Sequence, residues 1–294
     1  MVKEIYKQLL LSLQLWCITT VNIHKNRINS MTNSFYFPFG QELKKVEQKD
    51  RSPKKVFVLG VYASAVHARW IDKNGKQKVS AFAVASEPEI FWTGENAKEI
   101  ISEIKIPEQL GQLTIPTNKM LNGPSGRALD SLFLEPLGFN RKEAWLCDLL
   151  PESRVNKKQR KAIDKHYSDS IIEKFGLPKA TIPDFDKTEL NLKTRREEIL
   201  EELEDSKAEN LILLGDLPIK WFLRFHDKRF SRLAQFGETE TTYGGQHEIK
   251  INSKIYNVIP LCHPRQADRL GNSNAKWGNL HDYWMKGKQQ NVNK

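Results

Sequence analysis

Cysteine is scarce in this chain of 294 residues: there are three, Cys17, Cys147 and Cys262. They are odd in number, far apart and never arranged as C-x-x-C. That excludes a four-cysteine zinc or iron–sulfur site and argues for a reducing, cytoplasmic setting. The spacing suits small buried residues better than a redox pair. G-x-x-x-x-G-K-[ST], G-x-G-x-x-G and H-E-x-x-H are also missing, so a triphosphate cradle, a dinucleotide fold and a zincin helix have no motif to rest on. No metal or organic cofactor is implied. The chain has no long hydrophobic run either. Its best candidate, Leu9 to Ile23, is broken by Ser12, Gln14, Thr19 and Thr20, short of the roughly 20 apolar residues that span a bilayer. No small-x-small cleavage site follows it, and no membrane partner is expected. Residues 1–30 therefore read as an extension outside the working fold, with Met31 as the start, and 31–53 as a polar lead-in.

What the chain does have is positive charge. Lys and Arg number 46 against 36 Asp and Glu, a formal net charge of +10 and a pI near 9.3. Such a balance suits an anionic partner, nucleic acid above all, although a merely solvated basic surface produces the same count. With 39% hydrophobic residues there is ample material for a core.

The order of elements is that of an α/β domain over 54–288, with 289–294 as a tail. Val56 to Gly60 is an apolar run of the kind buried on both faces of a sheet. Lys78 to Ser86 reads as extended and Asn96 to Ile104 as a short helix. Gly123-Pro124-Ser125-Gly126 opens a helix whose Leu129, Leu132, Phe133 and Leu137 make a core-facing stripe; Ser125 is a helix-start residue there, and the free amides of that start suit an anion. Ala144 to Cys147 is a strand, Lys157 to Phe175 a helix with a basic beginning, and Leu177 to Thr188 a proline-bearing loop. Arg195 to Lys207 is an acidic helix whose charged face is most simply solvated. Leu211 to Leu214 is a strand, and Asp216 can cap the helix after it. Extended segments at His247 to Ile251 and Ile255 to Leu261 end the series. Strands alternating with helices imply a three-layer α/β/α fold with a mostly parallel central sheet.

In such a sheet ligands collect beyond the carboxyl ends of the strands. The polar groups stand there: the loop Gly60-Val61-Tyr62-Ala63-Ser64, Leu121 and Asn122 before the helix, Asp148, and His263-Pro264-Arg265-Gln266 where proline stops the last strand. This ordered set resembles the uracil-DNA glycosylase superfamily over roughly residues 54 to 285. The block NGPSGRALDSLFLEPLGFNRKEAWLCDLLP carries most of the resemblance and the His-Pro pair most of the rest. The resemblance implies a DNA-binding hydrolase of N-glycosidic bonds acting on a flipped base. By position, Gly60, Tyr62, Ala63, Leu121 and Asn122 would line the base site and Asp148 would read the base. His263 would stabilise the leaving base as its anion forms, and Ser64, Ser125, Arg127, Arg265, Gln266 and Arg269 would contact the nucleic acid. A binding module that has lost the chemistry and a hydrolase of free nucleosides or nucleotides are the alternatives.

Three positions depart from that pattern. The first loop has no acid to activate water. Leu121 stands where an aromatic would stack on the base. Asp148 stands where a uracil reader has asparagine. An ionised aspartate only accepts hydrogen bonds, so it favours an edge with two donors, as in guanine, and the preferred ligand is then not plain uracil. A buried, protonated aspartate donates as well and restores a uracil-like reading; a third role is catalytic acid or base. Arg69, Lys157, Lys158, Arg160 and Lys161 would add phosphate contacts, and Tyr62, Trp70, Trp92 and Trp277 are stacking candidates. If this basic set holds DNA, affinity measured by fluorescence anisotropy falls steeply and log-linearly with salt; a flat response would count against the interface.

Overall fold

The computed structural model describes residues 34–270 and 275–292; Cys17, Met31 and the expected extension at 1–30 lie outside them. Eight strands are defined among the described residues: β1 (Val56–Tyr62), β2 (Ala65–Ile71), β3 (Gln77–Ser86), β4 (Gln112–Thr114), β5 (Ala144–Leu150), β6 (Asn210–Leu214), β7 (His247–Ile251) and β8 (Lys254–Leu261). The central sheet has the order β5-β1-β6-β8-β7. Its first four strands are mutually parallel and only β7 runs against its neighbour. The α/β class and the mostly parallel sheet follow. Strands β1 and β5 are buried almost throughout, as continuous apolar runs in a parallel sheet must be. At the edge, β7 alternates buried Ile249 and Ile251 with exposed Glu248 and Lys250, which leaves a charged rim unsuited to further pairing. Pro260 is tolerated in β8 because β7 pairs only as far as Val258 and so never reaches the residue without an N–H.

Between the first two parallel strands the chain builds a second, three-stranded antiparallel sheet, β3-β2-β4. The sequence reading had found one extended segment here. This sheet has its own core, in which the Phe39 ring meets Trp70 edge-on at 5.3 Å and Tyr167 at 5.0 Å. Phe37 is fully buried in the same cluster. The stretch read as a polar lead-in therefore contributes Phe37 and Phe39 to the packing. The expected tail is also revised, since its first residues continue the last helix to Val292.

The helices are α1 (Ala97–Ser102), α2 (Pro124–Ala128), α3 (Lys157–His166), α4 (Asp169–Phe175), α5 (Lys193–Asp205), α6 (Asp216–Trp221), α7 (Pro264–Ala267) and α8 (Ala275–Val292). The single helix expected over 157–175 is two. Tyr167 leaves helical geometry at φ −123°, ψ 54°, because its ring belongs to the second core and its hydroxyl bridges the Phe39 N–H and the Pro178 carbonyl. Helix α2 runs on through a π-helical segment, Leu129–Leu134, into a 3-10 turn, Glu135–Leu137. Pro136 lies in that turn and cannot donate to the Leu132 carbonyl four residues back. His281 Nε2 takes up this carbonyl at 2.8 Å. That bond fixes the proton on Nε2, so Nδ1 accepts from the Tyr243 hydroxyl at 2.8 Å, and Tyr243 in turn accepts the Cys262 N–H at 2.9 Å. A buried chain of three hydrogen bonds thus joins α8 to the end of β8.

Two glycines of the G-P-S-G stretch have packing duties. A Cβ on Gly126 would lie 2.1 Å from the Phe91 carbonyl oxygen, and one on Gly123 would lie 2.0 Å from the Thr93 carbonyl carbon. The loop at 91–94 is seated directly on the helix start, over the amides expected to hold an anion. Gly126→Ala must push that loop away, at a cost of about 1–3 kcal/mol, read as a melting midpoint lower by roughly 2–10 °C; an unchanged midpoint would show that the loop yields freely.

Candidate active site at the strand ends

Because β5, β1, β6 and β8 are parallel, their carboxyl ends lie along one edge of the sheet. Register then decides which side chains meet. Gly60 of β1 is paired with Asp148 of β5. A Cβ at Gly60 would lie 2.3 Å from Asp148 Oδ1 and 2.6 Å from the Phe91 ring, so the Asp148 carboxyl and that ring occupy the space over the glycine. Phe91 holds a left-handed φ of 51° to do this, an uncommon conformation for an aromatic residue.

Asp148 is only 3% exposed. Burial pushes its carboxyl well above the usual range, opposed by Arg195 and reinforced by Glu202. Arg195 comes from α5, the acidic helix, and its guanidinium turns inward. It donates to the Asp148 backbone carbonyl at 2.7 Å and contacts the Cys147 sulfur at 3.2 Å. It also pairs with Glu198 at 2.9 Å and Glu202 at 3.0 Å. Part of the face expected to be solvated is thus a largely buried Arg195–Glu202 pair, with Glu198 at its exposed rim. Cys147 and Cys262 are both free and buried. Cys147 lies on β5 and Cys262 just after β8, three strand spacings or about 14 Å apart, too far for a disulfide.

His263 caps α7. Its Nδ1 accepts the Arg265 N–H at 3.1 Å, and its own N–H is received by Gln266 Oε1 at 3.2 Å. With Nδ1 accepting, the neutral ring carries its proton on Nε2. Burial, followed by the nearby Arg265 charge, lowers the imidazole to about 4. Gly215, at φ +87°, is in close contact with the ring's backbone: a Cβ there would stand 3.4 Å from His263 Cβ. Asp216 does not cap α6; its carboxylate accepts the Leu233 N–H at 2.7 Å.

Tyr62 ends β1, stacked on Phe185 with ring centroids 4.7 Å apart. Its phenol is raised by burial, lowered in turn by Arg265 and raised by Asp148, so it lies within electrostatic reach of both. Gly60 and Tyr62 are strand residues rather than loop residues, which leaves Ala63 and Ser64 as the turn. Sequence reading missed Glu87, the residue after β3, which is 6% exposed. Its carboxyl is pushed up to about 8 by burial first, then by Asp148 and Glu89, against the lowering effect of the Ser64 backbone. The signal was obscured because the acid arrives on a hairpin, 27 positions from Gly60 in sequence.

Other expected site residues have internal partners. The Asn122 amide forms two bonds with the His67 backbone, at 2.8 and 2.9 Å, and supports β2 instead of facing a ligand. The Arg127 guanidinium donates to the carbonyls of Thr93, Asn122 and Lys119. Arg269 is held by Asp282 and Asn279, Arg160 by Asp184 and Arg69 by Thr114. Arg265 is exposed, with its Nε donating to the Leu270 carbonyl at 3.2 Å; Leu121 and Ser125 are half-buried, and Lys157, Lys158 and Lys161 are exposed. Trp70 and Trp92 are core residues whose indole N–H groups bond Leu110 and Glu95 carbonyls, and Trp277 packs near Tyr243. A cleft of about 290 Å³ lined by Arg160, Tyr167, Ser168 and Lys179 includes none of the strand-end residues.

Among the described residues no group of three or more His, Cys, Asp and Glu is placed to hold a metal, and no helix is long and apolar enough to cross a membrane. Compared with known proteins, the chain matches no family model and no curated protein.

The His263 tautomer has a measurable consequence. By nitrogen-detected NMR its imidazole is expected to stay neutral and Nε2-protonated down to about pH 4. His67 and His281 are lowered to about 4 in the same way. All three bind protons more readily unfolded, so they favour the fold above about pH 6.5, and this support is lost as pH falls towards 4. A His263 midpoint near 6.5 would refute the packing described.

Proposed function

We propose that this protein is a DNA glycosylase-like hydrolase of N-glycosidic bonds, a divergent relative of the uracil-DNA glycosylase superfamily with its three-layer fold. The observation that carries the reading is His263: a neutral imidazole, locked with its proton on Nε2, at the same sheet edge as the buried Asp148 carboxyl. Breaking an N-glycosidic bond leaves electron density on the departing base. A fixed donor in a water-poor site stabilises that charge as it develops, without reorganising.

Burial raises the Asp148 carboxyl well above the usual range, which supports the protonated alternative beside the ionised one. A protonated carboxyl has one donating and one accepting oxygen, side by side. Its complement is a lactam edge, a ring N–H beside a carbonyl, as in uracil, hypoxanthine and xanthine. Tyr62 on Phe185 offers an aromatic face near the same point, and stacking tolerates any base. Exposed Arg265 beside this site, together with the lysines at the start of α3, is suited to a phosphate backbone. The internal commitments of Arg127 and Arg269 leave a smaller basic surface than the sequence suggests.

The test is mass-spectrometric detection of free base after incubation with oligonucleotides containing uracil, hypoxanthine, xanthine, oxidised guanine or normal bases. Release of a lactam base is expected, reduced about 100- to 1,000-fold in His263→Ala. Asp148→Asn is expected to keep the base preference, since the amide presents the same donor–acceptor pair. No release of any base by the wild-type protein would overturn the proposal; intact DNA binding with no release would favour a binding module.

A further inference from the structure

The geometry points to Glu87 as the proton-accepting carboxylate of the site, supplied by the inserted β2–β3 hairpin in place of an acid in the loop after β1. This rests on the hydrolase reading above. The hairpin closes on itself through the pairing of Ala65 with Ser86, which returns the chain to the end of β1 at Glu87. The Lys44 N–H holds the preceding Ser86 Oγ at 2.9 Å. The Ser64 carbonyl is fixed from the other side by Ser153 Oγ at 2.6 Å. A glutamate with 6% exposure, beside a turn pinned at its carbonyl and after a serine held by Lys44, is positioned, not solvated. No lysine or arginine forms an ion pair with Glu87 among the described residues, so its burial lacks the compensation that structural buried acids require.

In hydrolysis the water oxygen bonds to the sugar C1′ while the C1′–N bond breaks, its electron pair leaving with the base. Glu87 takes the proton released by the water, and His263 Nε2–H stabilises the departing base. Proton return from Glu87 to the base or solvent completes the turnover.

The charged and titratable groups facing Glu87 are Asp148 from β5 and Glu89 from its own loop. Beyond Asp148 stand Arg195 and Glu202 of α5, and Tyr62 with Arg265. Raised to about 8, Glu87 is ionised only on the alkaline side, so the rate of base release is expected to climb with pH through about 8 and then level. Glu87→Gln keeps the size of the side chain and an accepting oxygen but cannot take up a proton. Loss of the alkaline limb and a plateau at least ~100-fold lower, with an unchanged melting midpoint, would establish the role. In Glu87→Asp the carboxylate is retained but withdrawn, so a limb with a lower plateau is expected; should the glutamine variant fail to fold, a wild-type profile in Glu87→Asp overturns the assignment. A Glu87→Gln profile that keeps its limb within about threefold of wild type also overturns it, while wild-type base release in the same assay leaves the hydrolase reading standing. If the wild-type protein releases no base, both fall together.

Discussion

Four strands running in the same direction cannot be joined by tight turns, and everything else in this protein follows from that constraint. Each return must cross a face of the sheet, so the chain brings a helix or a small sheet back over the core between successive strands. All four carboxyl ends consequently open on one edge. The pairing of Gly60 with Asp148 sets a carboxyl above the only kind of residue small enough to lie beneath it. The bond from Gly215 N to the Leu261 carbonyl, 2.8 Å, brings the start of α6 against the start of α7. Two buried devices hold the edge in place. Arg195 grips the backbone of β5, and the Cys262–Tyr243–His281–Leu132 chain grips the end of β8.

The electrostatic character of the edge is unusual for a protein with this much positive charge. Desolvation opposes charge on each of the ionisable groups there: it raises the carboxyls of Asp148 and Glu87 and, with the cationic Arg265, lowers the imidazole of His263. Neutral donors and acceptors in a dry setting discriminate by pattern, because an opposed pair of acceptors has no water to relieve it. The charge lies outside, on the exposed arginines and lysines, where it attracts over distance without dictating which group fits.

The parts of this arrangement that could be read in the sequence are those with a local signature. The apolar runs of β1, β5, β6 and β8 stand out because strands buried on both faces have no polar alternation. Asp148 and His263 stand out because they end such runs. The three-stranded sheet was hidden because β2, AVHARWI, mixes a histidine and an arginine into its pattern; His67 is buried and bonded to Gln159 across elements, which no local rule reveals. Tyr167 breaks its helix for a tertiary reason, a phenol shared between Phe39 and Pro178. Asn122 and Arg127 look available in sequence because polar residues near glycines commonly face ligands, whereas their partners here are backbone groups of β2 and of the loop at 91–94. Glu87 was invisible for the same reason in reverse: its meaning depends on where a hairpin returns.

The site is also distributed along the chain. Its components come from the end of β1, the return of the hairpin, β5 and the turn after β8, so the last arrives only when most of the sequence has been synthesised. A nascent chain that has formed β1 to β6 has the carboxyls of Asp148 and Glu87 but no His263, and β7 has no neighbour in the central sheet until β8 pairs with both it and β6. The cluster at the strand ends is thus completed in one step, with the strand that joins β6 to β7.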